Sequence, residues 1–185
     1  MLYLRKNSKR LAFIFIFIFM SNYAYALATK IKISNIQLTY DSGHYFLSYS
    51  KLIPMSSEAR LALDKGIPFY FLSTINLSQQ NIYGLKKKKL SKKLYVKLKY
   101  KSLLRKYMVT DNNNKINYFN NIDEAIKKLS NIEKFDIGRS DKIDKGEIEI
   151  KIMLDKKYLP KAMQINPNDE SWTIESDSVK FDISD

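Results

Sequence analysis

The chain has 185 residues, of which 45% are hydrophobic and 28% are charged, a composition typical of globular proteins. It contains no cysteine and one histidine, His44, which excludes disulfide frameworks, thiol catalysis and clustered cysteine or histidine metal sites. Its formal net charge is +13, and residues 65–110 hold twelve basic and no acidic side chains. A partner recognised through charge is therefore expected to be anionic.

The first 28 residues have the pattern of a secretory signal peptide. Leu11 to Met20 is an apolar run that is too short to span a bilayer. Small residues suited to a signal peptidase stand at Ala24, Ala26 and Ala28. Four basic side chains precede the run: Arg5, Lys6, Lys9 and Arg10. We expect cleavage near Ala26 or Ala28 and an exported, periplasmic protein; an uncleaved leader that anchors the chain in the inner membrane is the alternative.

Residues 29–185 are expected to form one α+β domain, since they can bury one substantial core but hardly two. They offer no cysteine for a lipid anchor. Apolar and polar residues alternate from Ile31 to Tyr40, with a phase change after Ile33 that indicates a β-bulge. A turn at residues 41–43 leads to a second strand, His44 to Ile53, which predicts a β-hairpin.

A short helix follows this hairpin. Ser56 or Ser57 can cap its N-terminus, the segment from Glu58 to Lys65 forms its body, and Gly66 suits its C-terminal end. Ile67 to Leu77 then reads as a mostly apolar strand.

Further hairpins are predicted in the middle of the chain. The turn candidate Asn81 to Gly84 separates the preceding strand from the strand Leu94 to Tyr100. Leu103 to Thr110 reads as the next strand, and Asp111 to Lys115 as the turn that ends it. Asn120 or Asn121 then opens a second helix whose apolar face comprises Ile122, Ala125, Ile126 and Leu129.

The last third of the chain is also strand-rich. Polar and apolar residues alternate clearly from Glu147 to Leu154, which predicts a strand. An irregular or briefly helical connection is expected from Tyr158 to Ile165. A final strand or hairpin is expected from Trp172 to Ile183. The predicted fold is thus α+β, with a mainly antiparallel sheet of about seven strands and two short helices.

A lysine-rich strand is the candidate binding surface. Leu94, Val96, Leu98 and Tyr100 alternate with Tyr95, Lys97, Lys99 and Lys101, so one row of side chains faces the core and the other faces solvent. The candidate anion- or partner-binding residues are Lys86, Lys87, Lys88, Lys89, Lys92, Lys93, Lys97, Lys99, Lys101 and Arg105.

Two interpretations of these lysines remain open. The first is a surface for anionic lipid head groups, lipopolysaccharide phosphates or an acidic protein. The alternative is a solvated lysine face without function, which the codons of an A·T-rich genome favour. Acidic strands from the C-terminal half could lie beside it. Nucleic acid is not expected as a partner, because export would separate the protein from it.

The sequence gives little support to a catalytic function. A Ser-His-Asp triad could form only around His44, which lies beside a predicted turn. Asp141, Asp144, Glu147 and Glu149 could bind calcium or act as an acid–base pair, but their spacing does not match an EF-hand. Glu147 and Glu149 are expected to meet solvent or lysines across the sheet. We expect no catalytic residue, metal or cofactor, and no glycine-rich phosphate loop is present.

The order of these segments resembles a bacterial family of exported proteins, domain of unknown function 4390. The similar fragments are Glu58 to Phe69, Tyr100 to Val109, Phe119 to Ile132, Leu154-Asp155 with Leu159-Pro160, and Trp172 with Ser176. The chain departs from the family pattern at Gln79 to Leu85, where the family favours arginine and tryptophan, and near Val179, where it favours another aromatic residue.

The resemblance implies localisation in the cell envelope and no established activity. Members are often encoded beside a membrane sensor kinase, which makes an accessory role in signalling conceivable, although such association is not a mechanism. We therefore expect a non-enzymatic interaction protein with an envelope or inner-membrane partner. Peripheral binding to anionic lipid or glycolipid through Lys86 to Lys106 is the alternative.

Overall fold

The computed structural model describes residues 30–80, 86–139, 146–164 and 172–183, with the backbone only for residues 80 and 86–89. The strands are β1 (Lys30–Asp41), β2 (His44–Leu52), β3 (Phe69–Gln80), β4 (Lys86–Lys101), β5 (Lys106–Thr110), β6 (Ile116–Phe119), β7 (Asn131–Arg139), β8 (Gly146–Leu154), β9 (Glu175–Ser176) and β10 (Val179–Ile183). The helices are α1 (Ser57–Asp64), α2 (Ile122–Ser130), α3 (Lys161–Gln164) and a 3-10 turn, Lys156–Tyr158. No helix within these ranges is long and apolar enough to cross a bilayer.

The strands form one mixed sheet of ten strands in the order β6-β5-β4-β3-β8-β9-β1-β2-β7, with β10 paired to β8. Every pairing is antiparallel except the parallel bridge between β1 and β9. The mainly antiparallel class agrees with the prediction. The expected count of about seven strands was too low, and α3 adds a helix to the two expected.

The β1–β2 hairpin is confirmed in detail. Its two-residue turn consists of Ser42 and Gly43, both with positive φ (51° and 82°), the geometry whose twist matches a hairpin. The predicted bulge lies between Ser34 and Gln37, where the register shifts and Asn35 takes a φ of 52°.

Both predicted helices begin and end where capping chemistry favours it. The Ser56 hydroxyl accepts a hydrogen bond from the Ala59 amide at 3.1 Å, and Gly66 follows α1 with a φ of 86°. The Asn121 side chain accepts from the Asp123 amide at 2.7 Å at the start of α2. The 3-10 turn and α3 agree with the brief helical connection predicted there.

Three segments differ from the prediction. Leu103 and Leu104 belong to the β4–β5 turn and not to a strand. The strand β7 was missed, because Lys134 and Gly138 adopt positive φ and break the period-two pattern. The strands β9 and β10 do not pair with each other; both lie against β8. The Asn81 to Gly84 turn lies outside the described residues.

One hydrophobic cluster fills the inner side of the sheet. Alternate residues of β3, β4 and β8 are almost fully buried in it, together with Trp172 from the segment before β9. The helix α2 contacts β5 and β6 near one end of the strand order, and β2 and β7 at the other. The sheet therefore curls, and α2 closes the space between its ends through Ala125 and Leu129.

Several described polar side chains are enclosed in this core, among them Lys51, Tyr49 and Ser73. Lys51 on β2 is 2% exposed, and its ammonium nitrogen has no hydrogen-bond partner among the described residues. Burial lowers the pKa of Lys51 to about 7. The hydroxyl of Tyr49 lies near that of Ser73, outside hydrogen-bonding geometry, and burial raises the pKa of Tyr49 to about 12.

Candidate interaction surface

Four lysines of β4 lie on the outward side of the strand, as the alternating pattern predicts. Leu94, Val96 and Leu98 are at most 2% exposed on the inner side. The opposite side of the strand, called here the outer β4 face, carries five partly or fully exposed residues: Lys93, Tyr95, Lys97, Lys99 and Lys101. None of these four lysines forms an ion pair with a described residue. The face is therefore a row of positive charges without a described ion pair, with the Asp155 carboxylate near the Tyr95 hydroxyl.

The remaining predicted site residues do not all belong to this row. Lys92 lies on the inner side, at the margin of the core, in phase with Leu94. Its charge helps to hold the pKa of Asp136 below the usual range, after the larger effect of a hydrogen bond from His44. Arg105 is exposed in the β4–β5 turn. The side chains of Lys86, Lys87, Lys88 and Lys89 lie outside the described residues.

Tyrosine rings support the middle of the outer β4 face. The Lys97 ammonium lies 5.1 Å from the ring centre of Tyr70 on β3, a cation–π distance. The Tyr70 ring stacks on Tyr158 at 4.0 Å between centroids, and Tyr95 meets Tyr158 edge-on at 6.3 Å. These contacts place aromatic surface beside the lysines and limit where the Lys97 side chain can lie.

Neutral side chains of β3 separate the lysines from the acidic strands. Thr74 and Asn76 stand between β4 and β8 in the sheet register. Asn76 accepts from Ser91 on β4 at 2.9 Å and donates to Glu149 on β8 at 3.4 Å. The carboxylates therefore lie two strands away from the outer β4 face and do not neutralise it.

The β8 carboxylates pair with other groups, as the sequence predicted. Lys180 on β10 lies 3.6 Å from Glu147 and 4.0 Å from Glu149. The Ser178 hydroxyl donates to Glu149 at 2.6 Å. A separate ion pair joins Lys151 to Glu175 at 3.1 Å. Charge on this part of the outer surface is thus balanced within the protein.

The outer β4 face ends at the turn between β4 and β5. An open groove of about 500 Å³ lies there, lined by residues that include Lys65, Lys99, Leu104 and Tyr118. Lys101 stands directly opposite Lys106 across the hairpin. Like charges in this position repel each other and weaken the hairpin slightly. A cationic surface therefore surrounds this turn.

The single histidine makes a local hydrogen-bond contact near the β1–β2 turn. His44 Nδ1 lies 3.0 Å from Asp136 Oδ2, and the Gly138 amide donates to Asp136 Oδ1 at 2.8 Å. No serine hydroxyl among the described residues hydrogen-bonds His44. Asp141 and Asp144 lie outside the described residues, and the described ranges contain no cluster of three potential metal-ligating side chains.

Sequence reasoning missed two parts of this surface. The exposure of Leu103 and Leu104 was not foreseen, because both were assigned to a strand. The contact of Tyr70 with Tyr158 was also missed, because it joins segments far apart in sequence. The inner position of Lys92 could have been found from its parity with Leu94, since alternate residues of a strand share one side.

Comparison with known proteins identifies a family and no closer relative. Neither the curated proteins nor the solved structures contain a significant match to this chain. The family model described as Domain of unknown function (DUF4390) matches residues 28–182, which covers every described strand but the last residue of β10. The family resemblance predicted from the sequence is thus confirmed, and the chain belongs to the DUF4390 family.

Proposed function

We propose that this protein is an exported, non-catalytic accessory protein of the cell envelope that binds an anionic partner surface through the outer β4 face. The observation that supports this function is the segregation of charge on the sheet. Carboxylates and lysines of β8, β9 and β10 pair with each other, whereas Lys93, Lys97, Lys99 and Lys101 form no ion pair with a described residue. A row of this kind attracts anionic partners and orients them during encounter.

The location of the partner rests on the sequence. The leader predicts export, and the family resemblance implies the envelope, with an inner-membrane sensor as a conceivable associate. The proposed partner surface is therefore an acidic region of an envelope or inner-membrane protein, or an anionic lipid layer. The outer β4 face would keep this protein at the partner surface, and the protein would modulate its partner through direct contact.

In-cell crosslinking and affinity capture of the tagged full chain test this function. The captured material is washed at low and at high salt, and the N-terminus of the accumulated protein is determined by mass spectrometry. We expect processing near Ala26 or Ala28 and retention in the envelope fraction. Retention that depends on the exposed lysines should weaken as salt rises, because ions screen surface charges.

A triple variant and a matched control isolate the face. Lys93→Gln/Lys97→Gln/Lys99→Gln removes three charges from the outer β4 face and should release the protein from its partner. Lys32→Gln/Lys127→Gln/Lys128→Gln removes the same charge from exposed positions elsewhere and should leave retention unchanged. Equal behaviour of the two variants, or an unprocessed cytoplasmic product, would overturn the proposal.

A further inference from the structure

Two neighbouring leucines project from the end of the outer β4 face. Leu103 is fully exposed, at 101% of its reference area, and Leu104 is 56% exposed. Among the described residues, the other exposed leucines are Leu52 and Leu61, which stand singly on β2 and α1. A single exposed apolar residue needs no explanation, but an adjacent pair at the tip of a hairpin presents a small apolar wedge.

Cationic side chains surround this wedge. Lys101 and Arg105 flank the two leucines in sequence, and Lys106 faces Lys101 across the hairpin. Lys65 and Lys99 line the adjoining groove. Asp64 is the residue before Lys65, and its carboxylate has a hydrogen-bond partner outside the collar. Its Oδ1 accepts a hydrogen bond from the Tyr107 hydroxyl at 2.7 Å. The wedge therefore has a cationic collar, defined here as Lys65, Lys99, Lys101, Arg105 and Lys106.

The backbone of the turn holds the leucines outward. The Leu104 amide donates to the Lys101 carbonyl at 3.1 Å, and the Arg105 amide donates to the Ser102 carbonyl at 3.2 Å. Arg105 adopts a φ of 49°, a left-handed conformation that is uncommon for a residue other than glycine, asparagine or aspartate. Opposed lysines and a left-handed arginine each oppose local stability, and the exposed leucines add no hydrophobic stabilisation. Their coincidence at one tip indicates a functional site.

We propose that the β4–β5 hairpin is a membrane-docking element, which inserts Leu103 and Leu104 into the surface of an anionic bilayer while the cationic collar contacts the head groups. This inference rests on the proposed function, because it names the anionic layer as the partner of the basic face. A bilayer presents negative head groups above hydrocarbon, and the tip presents apolar side chains in front of positive charges, so the two layers match in order.

The groove beside the tip fits the same partner. Tyr118 lies on the outer side of β6, in register with Met108 and Lys99, and is 47% exposed. Tyrosine favours the head-group level of a membrane, where its ring is partly apolar and its hydroxyl is hydrated. The side of β5 and β6 next to the collar therefore extends the docking surface.

A vesicle-binding experiment tests the inference. The full chain is expressed, and the form that cells accumulate is purified and floated with vesicles of phosphatidylglycerol and phosphatidylethanolamine, or of phosphatidylcholine alone. We expect binding to the anionic vesicles only, weakened by salt. Leu103→Ser/Leu104→Ser should lower the partition coefficient about tenfold or more, and Lys101→Gln/Lys106→Gln should lower it by about fivefold for each charge.

The control variant Leu52→Ser removes an equally apolar side chain that is 65% exposed on β2, a strand that does not pair with β4 or β5, and should bind as the parent does. All variants share the same N-terminus, so any effect of leader residues cancels. Unchanged thermal unfolding of the tip variant would confirm that it folds.

The outcomes separate this inference from the proposed function. Loss of vesicle binding in the tip variant, with the control unaffected, supports membrane docking. Equal binding of parent and tip variant overturns it. Envelope retention that requires Lys93, Lys97 and Lys99 but not the leucines, with a captured protein partner, overturns membrane docking and leaves the proposed function intact. If neither the lysines nor the leucines affect retention or vesicle binding, both the proposed function and membrane docking are overturned.

Discussion

Lysine occupies two opposite environments in this sheet. Lys51 lies inside the curl, where it is 2% exposed and its nitrogen has no described partner. Lys93, Lys97, Lys99 and Lys101 lie on the outer β4 face, where water hydrates their ammonium groups. Charge removed from water is costly, whereas charge at a surface costs only weak mutual repulsion. Lysines can therefore accumulate outside at little cost, while a lysine inside lowers stability.

The comparison indicates which observation carries functional weight. Because an outer lysine costs little stability, the row of lysines alone is equally consistent with the codon usage of an A·T-rich genome. The leucine wedge at its end is what distinguishes a docking surface from a solvated face. The inner lysine, in contrast, has a cost that can be measured directly.

Replacing the inner lysine should give the largest change in stability. Lys51→Met keeps the length of an apolar stem and removes the charge, so we expect an increase in the free energy of unfolding of about 2–4 kcal/mol at neutral pH. Denaturant titration measures it. Lys32→Met on β1, where the side chain is exposed, is the control and should change stability by less than about 0.5 kcal/mol. Destabilisation by Lys51→Met would show that its nitrogen has a stabilising partner.

The same lysine should make stability depend on pH. Its pKa falls from an ordinary 10.5 to about 7 on folding, so the unfolded chain binds the proton more tightly between these values. Stability should therefore rise with pH from about 7 to 10.5, by at most about 1.4 kcal/mol per unit. Lys51→Met should flatten this rise.

Two tyrosines limit the pH range of that measurement. The pKa values of Tyr49 and Tyr107 are raised to about 12, mainly by burial. Their contributions are complete below the ordinary value of 10.0 and are lost as pH rises toward 12. Denaturation between neutral pH and about 9.5 thus isolates Lys51. A rise that persists in Lys51→Met would refute the assignment.

A paired charge on the outer surface should have an intermediate effect. Glu149→Gln weakens contacts with Lys180 and Ser178, and we expect a loss of about 0.5 kcal/mol, typical of partly exposed ion pairs. Denaturation of Glu149→Gln, Lys180→Gln and the double variant forms a cycle that isolates the interaction. Additive losses would show that the pair contributes nothing.

Unpaired outer lysines should have the smallest effect, with the opposite sign. Lys99→Gln relieves repulsion along β4 and should raise the free energy of unfolding by about 0.2–0.3 kcal/mol at low salt. The gain should vanish at high salt, because these groups are screened. Lys97→Gln also removes the contact with Tyr70 and should gain less. A large destabilisation by Lys99→Gln would reveal a partner for that lysine.

Regular local patterns accounted for much of the fold. The β1–β2 hairpin, α1, α2 and β8 have complete periodicity and good capping or turn residues, and the sequence predicted all four. The position of Lys51 had a signal as well. It shares its side of β2 with Leu47 and Tyr49, and this parity places it in the core.

What could not be predicted depends on irregular backbone or on distant contacts. Lys134 and Gly138 adopt positive φ in β7, which removes the alternation by which a strand is recognised. The separation of the β4 lysines from the β8 carboxylates follows from β3 lying between them, and strand order is not encoded in local pattern. The grouping of Lys92 with the outer lysines had a different cause, because its parity with Leu94 was not applied.

The parallel bridge between β1 and β9 determines when the fold can be completed. Lys30 and Asp177 form an ion pair at 2.6 Å although they are 147 positions apart in sequence, and Ile31 pairs with Ser176. Ser176 also accepts a hydrogen bond from the Ile152 amide at 2.9 Å, so this short strand joins β1 to β8. Such distant pairing forms slowly. The β1–β2 hairpin can form locally, but the bridge from β1 to β9 requires the last strands of the chain, so closure of the sheet at this point comes late in folding.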